Sequence, residues 1–488
     1  MSPLEFVHLL GNWSGGDGPV YERLARAIGN ALERGEIPAE TRLPAERTLA
    51  RLLRLSRTTV VSAYEQLRQR GWVERRQGSG TRVRGPLSAG ARKGEEPALS
   101  FRRHPVYRGL IEGSGGTIEF LAAHLPAAGI TPDVLRYDRR AVEELLAGPG
   151  YVPMGLPALR QAVANHLTKS GLATTADQVL ITSGAQQAIM LAGALLLSPG
   201  DGVVVENPTY LGAIDILTSR GARLLPVPVG REGARIEALA EVARRARPRL
   251  LYLMPTFQNP TGALMPERER RAVAKLSAEL SIPILEDNTL ADLSLGVEPP
   301  PPIAAFAPPS APILTVGSLS KLFWGGLRVG WIRASEDLLA RIARLKIMAD
   351  LGGSVLSQLA ALKLLARAER VKQKRRAQVR ERFDLLTGLL ARHLPEWEWT
   401  PPAGGLSLWV RLPRGDANEF AQLALRHGVS VVPGPLTSPD GSFADHLRLP
   451  FVLDSKPMEE GVMRLSRAWS AYAARDSVPA RRSLDVLV

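Results

Sequence analysis

The chain has no cysteine, so neither a disulfide framework nor a thiolate metal site is open to it. Its seven histidines, at 8, 104, 124, 166, 393, 427 and 446, show no paired ligand spacing, and no metal is expected. Long apolar runs are missing too. The stretch Ile189 to Leu197 falls far short of the roughly 20 residues that cross a bilayer, and the opening MSPLEFVHLL lacks the basic flank of a signal peptide. A cytoplasmic protein with no membrane partner is expected. No internal repeat is found.

What is present is length, apolar content and positive charge. At 488 residues the chain exceeds what one hydrophobic core serves, and 45% hydrophobic residues suffice for two or three domains. A net charge of +14 points toward a polyanionic partner, although an arginine-rich composition produces the same bias without one. The charge is organised at the start: residues 1–84 hold 14 arginines, no lysine and nine acidic residues, a net +5.

That segment also has shape. Val20, Leu24, Ile28 and Leu32 recur at helical spacing and predict a helix over Val20 to Arg34, ended by Gly35. Pro44 opens a second helix, Ala45 to Leu53. After the turn Arg54-Leu55-Ser56 a third runs from Arg57 to Arg70, with Ser56 as N-cap and Val60, Tyr64 and Leu67 facing inward. Two helices joined by a tight turn make a helix-turn-helix. Gly71 to Arg76 and Thr81 to Val83 read as strands around Gln77-Gly78-Ser79-Gly80, a hairpin wing.

The segment LPAERTLARLLRLSRTTVVSAYEQLRQRGWVERRQGSGTRV, within residues 19–83, resembles the winged-helix DNA-binding domain of the GntR family of bacterial regulators. The resemblance implies that Arg47 and the start of the recognition helix, Arg57, Thr58 and Thr59, meet double-stranded DNA. It implies too that Gly78 and Gly80 let the wing approach the minor groove. N-terminal residues of a recognition helix reach base edges in the major groove, where arginine grips guanine or phosphate. For Arg51, Arg68 and Arg70 a solvated surface charge is the better reading.

Residues 85–117 turn to glycine, proline, serine, alanine and charge (GPLSAGARKGEEPALS, then EGSGG) and read as a flexible linker. Fully stretched it spans on the order of 100 Å, so the head can dock on its own body or on a partner's. A second biased patch, EPPPPIAAFAPPSAP (Glu298 to Pro312), reads as a stiff extended loop, and residues 476–488 as a tail.

The body, residues 118–475, alternates short apolar runs with helical patterns, as a doubly wound α/β sheet does. Val179 to Thr182, Val203 to Val205, Leu250 to Met254, Ile282 to Leu285 and Ile313 to Val316 are apolar on successive residues, as strands buried on both faces are. Polar groups come after each: Ser183-Gly184-Ala185-Gln186, Pro208-Thr209-Tyr210, Asn259-Pro260-Thr261-Gly262, Asp287-Asn288, and Ser318 to Lys321. The carboxyl edge of an open α/β sheet is where ligands bind.

The last of these, ILTVGSLSKLFWGGLRVGW (Ile313 to Trp331), holds Lys321 at the mouth of an apolar strand with no neighbouring acid. Loss of solvation pushes such a lysine toward the neutral, nucleophilic form that condenses with an aldehyde. With Arg328 to hold a phosphate, this suggests Schiff-base attachment of pyridoxal 5'-phosphate (PLP). An ordinary strand-to-loop exit with a solvated lysine has the same pattern. Under the PLP reading, Ser183, Gly184, Ala185 and Gln186 open a helix whose free N–H groups face the phosphate. Tyr210 lies against the pyridine ring, Asp287 pairs with its protonated nitrogen, and Asn259 donates to its phenolic oxygen.

The order of these motifs, with YVPMGLPALRQAVANHL (Tyr151 to Leu167), GGLSLW (Gly404 to Trp409) and HLRLPF (His446 to Phe451), resembles a fold-type I aminotransferase. That implies a large doubly wound mixed-sheet domain and a smaller α+β C-terminal subdomain. By the resemblance Lys321 is the Schiff-base lysine, Ser318, Ser320 and Arg328 hold the phosphate, and Tyr151 reaches the phosphate of a neighbouring subunit, so a homodimer is implied. Arg448 matches the arginine that binds an α-carboxylate; the alternative for it is an edge-strand charge. Just past Asp287, where many relatives place a tyrosine on the ring oxygen, this chain has Thr289 and no tyrosine, which bears on whether full transamination occurs.

A winged helix followed by such a body resembles the MocR subfamily of GntR regulators. The resemblance implies a PLP-dependent transcriptional regulator that senses PLP or an amino compound, γ-aminobutyrate for example, through Lys321, with heads docked in cis or exchanged between subunits. A working aminotransferase with a DNA-binding head is the alternative.

Overall fold

A computed structural model describes residues 1–84 apart from 12, 15, 16, 34, 35, 39 and 77–79, then residue 106, residues 116–308 and residues 311–476. The first helix, Pro3–Leu10, has no counterpart in the sequence reading. Ser2 and Glu5 form a capping box at its start, and it buries Phe6, Val7, Leu9 and Leu10. These join Leu24, Ile28, Leu49, Val60 and Leu67 in one head core.

The helices Val20–Glu33, Glu46–Leu52 and Arg57–Gln69 come next. Arg54 turns the corner between the last two with a left-handed φ of 52°, and the Ser56 hydroxyl caps the next helix by accepting the Thr59 N–H at 3.1 Å. Strands β1 (Val73–Arg76) and β2 (Gly80–Val83) pair antiparallel, Val73 opposite Val83, as a wing. The wing tip with Gly78 lies outside the described residues, as do nearly all of the expected linker at 85–117 and of the tail at 476–488.

The body opens with β3 (Ile118–Phe120), which belongs to a second sheet described below. The main sheet is built from β4 (Val179–Thr182), β5 (Gly202–Asn207), β6 (Arg223–Gly230), β7 (Gly233–Ala234), β8 (Leu250–Leu253), β9 (Ile284–Asp287), β10 (Ile313–Ser318) and β11 (Gly330–Arg333). Their spatial order is β4-β11-β10-β9-β8-β5-β6-β7. Strands β10, β9, β8, β5 and β6 run parallel, and β11 enters antiparallel between β10 and β4. Every residue of β4, β8, β9 and β10 is buried, because helices cover both faces. Ala185–Leu196 and Leu211–Ser219 lie on one face, Ile236–Ala246 and Glu267–Leu280 on the other.

The smaller subdomain carries β12 (Glu398–Trp399), β13 (Ser407–Arg411), β14 (Val429–Pro433) and β15 (His446–Pro450), ordered β12-β13-β15-β14-β3. Its helices include Ala417–Arg426, which leads directly into β14, and Ser455–Asp476.

The head rests on this subdomain of its own chain. Arg54 Nη2 lies 2.6 Å from Glu419 Oε2, its guanidinium sits 4.2 Å from the centre of the Tyr472 ring, and Arg426 Nη1 donates to the Arg54 carbonyl at 3.2 Å. Trp13 Nε1 donates to Gln422 Oε1 at 3.3 Å. The contact therefore falls on the turn of the helix-turn-helix and leaves the start of the recognition helix exposed.

Candidate functional site

Because β4, β5, β8, β9 and β10 all point the same way, their carboxyl ends share one edge. A cavity of about 860 Å³ opens there against the small subdomain. Gly184, Ala185 and Gln186 line it from the β4 end, Tyr210 from β5, Asn259 from the loop after β8, Asp287 from β9, and Ser318, Ser320, Lys321 and Arg328 from the segment after β10. Arg448 lines it from β15. Two expected residues do not: Tyr151 lies away from the cavity, 65% exposed, and Ser183 is turned aside, its N–H donating to Gln187 Oε1 at 2.9 Å.

Lys321 Nζ donates to the Ala123 carbonyl at 2.7 Å and has no carboxylate partner among the described residues. Burial, aided by the Arg448 charge and opposed by Asp287, pulls its ammonium down to about 8. Asp287 accepts from the Tyr252 hydroxyl at 3.0 Å on one oxygen and from the Thr289 N–H at 2.9 Å on the other. Tyr252 is a partner that sequence reading did not find: it sits mid-run in a buried strand and looks like core. Its phenol is pushed well above its ordinary range by burial and by Asp287.

Around the β4 exit, Gly184 has φ 128°, and a Cβ there would stand 3.2 Å from Arg328 Nη2. Glycine thus permits the close approach of that guanidinium to the start of the helix Ala185–Leu196. A relay behind the loop holds it in place: the wholly buried Lys346 pairs with Asp350 at 2.7 Å, and Asp350 accepts from Gln187 at 2.7 Å. Tyr210 donates to Gln186 at 2.8 Å, and the Ser318 hydroxyl donates to Ser320 at 3.0 Å. Arg375 clamps the other side, donating to the Leu322, Phe323 and Pro126 carbonyls.

Arg448 is 3% exposed, donates to the Leu121 carbonyl, and leaves Nε buried without a partner among the described residues. Strand β15 lies between β13 and β14, so the edge-strand alternative does not describe it. Burial lowers its guanidinium to about 10.

In the head, Arg47 is exposed with no partner among the described residues. Arg57 is half exposed and pairs with Glu46 at 3.2 Å. Thr58 is exposed, while Thr59 is half buried and serves the Ser56 cap. Gly80, at φ 85°, lies under Arg42. Arg68 is taken up by Glu65 at 2.6 Å, whereas Arg51 reaches toward Glu419 at 3.9 Å.

Residues 20–83 match the GntR family of bacterial regulatory proteins, and residues 147–465 match aminotransferase class I and II. The chain is 31% identical to the uncharacterized HTH-type transcriptional regulator YisV of Bacillus subtilis, over 89% of this chain and 92% of that one. It is 28% identical to the probable rhizopine catabolism regulatory protein MocR of Rhizobium meliloti, over 96% and 97%. This chain belongs to the MocR subfamily of GntR-type transcriptional regulators. Like the subfamily, it joins a DNA-binding winged helix to a PLP-dependent aminotransferase-type body. The body of this MocR-type regulator is similar in fold to LysN, an α-aminoadipate aminotransferase of Thermus thermophilus solved with N-(5'-phosphopyridoxyl)-L-leucine. The TM-score is 0.67 and the identity 33%, over 76% of this chain and 95% of that one.

The residues present in the MocR-type cavity fit PLP. Asn259 Oδ1 and Thr289 Oγ1 are buried without hydrogen-bond partners among the described residues, and such groups are costly unless something satisfies them. A lysine whose ammonium is held low, a buried carboxylate and a guanidinium against a helix start together complement an amine-binding aldehyde, a pyridine nitrogen and a phosphate. Among the described residues no helix is long and apolar enough to cross a membrane.

Proposed function

We propose that this regulator senses an amino compound, or PLP itself, through Schiff-base chemistry on Lys321, and that the small subdomain passes the event to the DNA-binding head. The observation that carries the reading is Lys321: a part-buried ammonium, drawn down to about 8, facing a backbone carbonyl in the cavity that also holds Asp287 and Arg448. When bound, PLP supplies an aldehyde that condenses with amines and a ring that withdraws electrons.

The chain's own residues do the rest. Lys321 yields its proton easily because its charge is poorly solvated. Asp287, aligned by Tyr252 and Thr289, holds a proton on the ring nitrogen. Arg328, with Ala185 and Gln186 N–H groups, binds the phosphate, Ser318 and Ser320 complete that group, and Tyr210 lies on the ring. Asn259 and the Thr289 hydroxyl serve the ring substituents. Arg448 binds the α-carboxylate of an amino-acid effector. Tyr151, exposed on its own chain, joins the site of a second subunit in a homodimer.

Coupling arises from the layout of the small subdomain. Arg448 stands on β15 beside β14, and the helix feeding β14 carries Glu419, the partner of Arg54 in the helix-turn-helix. An effector that prefers one setting of this subdomain shifts the head by its differential affinity for the two settings. In a dimer the Arg54–Glu419 contact is available within a subunit or, with heads exchanged, between subunits. Arg47, Arg57 and Thr58 then meet the operator, with the wing glycines Gly78 and Gly80 letting the wing approach the minor groove.

The test is operator affinity of the full chain with and without PLP, across a panel of amines, alongside visible absorbance. Affinity should change with PLP or with an amine, and both the absorbance and the change should vanish in Lys321→Ala. Turnover with a keto-acid acceptor and no selective DNA binding would instead favour an enzyme with a DNA-binding head.

A further inference from the structure

The cavity holds an acidic side chain that none of these roles uses. Glu119 lies on β3, where Ile118 and Phe120 both turn to the helix Ser455–Asp476 and press on Gly461. Strand alternation sends Glu119 to the opposite face, and it lines the cavity. Burial pushes its carboxyl above the usual range, and among the described residues it has no hydrogen bond or ion pair. The other acids of the lining are committed, Asp287 to Tyr252 and Thr289, and Asp454 to Arg382.

Register ties Glu119 to Arg448. Glu119 stands opposite Ser430 and Arg448 opposite Val432, and those two residues share a face of β14, so both charges rise from the same side of the sheet. Arg448 also reaches across β14 to the carbonyl of Leu121, two residues beyond Glu119, a step of about 7 Å in extended chain. That spacing suits a short alkyl chain with a carboxylate near one end and a cation at the other. His124, which also lines the cavity, is held below its ordinary value by burial and by Lys321. It is therefore largely uncharged near neutrality and leaves the carboxylate unmatched.

We propose that the effector is an amino acid with a second ammonium group, of the ornithine and lysine class, with its α-carboxylate on Arg448 and its side-chain cation on Glu119. The inference rests on the sensing role of Lys321 above. A charge-assisted pair in a partly dry cavity favours such a ligand, and the same carboxylate repels an acidic side chain, so selectivity has both an attractive and a repulsive element.

The experiment uses the full chain loaded with PLP and tracks its visible absorbance during titration with L-ornithine, L-lysine, L-norleucine and L-glutamate. The diamino acids should half-saturate at concentrations about tenfold below that of norleucine, the affinity ratio expected of one added charge-assisted pair. Glu119→Gln should erase that preference, and Glu119→Lys should turn it toward L-glutamate. A response to norleucine with no diamino preference, or a preference that survives in Glu119→Gln, overturns this inference alone. PLP uptake with silence toward every amino acid likewise overturns this inference alone, whereas a chain whose visible absorbance with PLP is no different from that of Lys321→Ala overturns it together with the sensing role of Lys321.

Discussion

Arg54 and Glu419 meet at 2.6 Å across the junction of head and body, with 16% and 13% of their side chains exposed. Exposed ion pairs contribute little, but one this sheltered, with the Arg54 guanidinium also on the Tyr472 ring, is a fastening point. Losing one partner of such a pair costs about 1–3 kcal/mol.

If this pair fastens the head, Glu419→Ala should uncouple it. Operator affinity should survive, since the recognition helix is untouched, while its dependence on the effector should shrink toward none. Arg54→Asn is the matching variant, because asparagine tolerates the left-handed φ of 52° at that turn. Fluorescence anisotropy with operator DNA, with and without effector, measures both, and additive effects in the double variant would show that the two residues do not act together.

In the helix-turn-helix, Arg57→Ala and Arg47→Ala should each weaken operator binding by about 1–3 kcal/mol if they touch bases, or lower the salt slope by about 1 if they touch phosphate. Arg68→Ala should do neither, because Glu65 already holds that guanidinium. Binding isotherms at several salt concentrations separate the two kinds of contact.

Lys321 gives a pH signature with a defined sign. Its folded-state value, about 8, lies below the ordinary 10.5, so between those two values the unfolded chain binds more protons. The chain without cofactor should therefore gain stability as pH rises through that window and hold a flat contribution below it. Cofactor capture should speed up as pH approaches about 8 from below and then level off. Lys321→Ala should abolish both trends in melting and in stopped-flow absorbance.

Tyr252→Phe removes one of the two donors that orient Asp287. PLP affinity should fall by about 1–2 kcal/mol, roughly five- to thirtyfold. A titration monitored by absorbance, with circular dichroism to verify the fold, tests it; unchanged affinity would mean that the Thr289 N–H alone fixes the carboxylate.

The strand-end residues that line the cavity were legible in the sequence because strands buried on both faces leave an unbroken apolar run, and the residues just past the end of each run land on one edge. The helix-turn-helix was legible for a similar local reason: Ser56 caps and Val60, Tyr64 and Leu67 repeat. What escaped was long-range or disguised. Tyr252 is apolar-looking in a core strand, and the Lys346–Asp350–Gln187 relay links residues 163 positions apart, which no local pattern records. Ser183 sits in the expected motif, yet a side chain four residues on takes its N–H. The helix Pro3–Leu10 did leave a signal, Ser2 with Glu5, in a segment too short for periodicity to show.

Strand β14 touches both ways in which the head is attached. The covalent thread from the head enters the body at β3, which pairs with β14 over Val429 to Val431, and the helix that grips Arg54 runs straight into the start of β14. A tilt of this one strand would shift together the clasp on Arg54 and the point at which the chain from the head enters the body. Arg448 stands on the neighbouring rung, so a ligand seated there leans on the same lever from its other side.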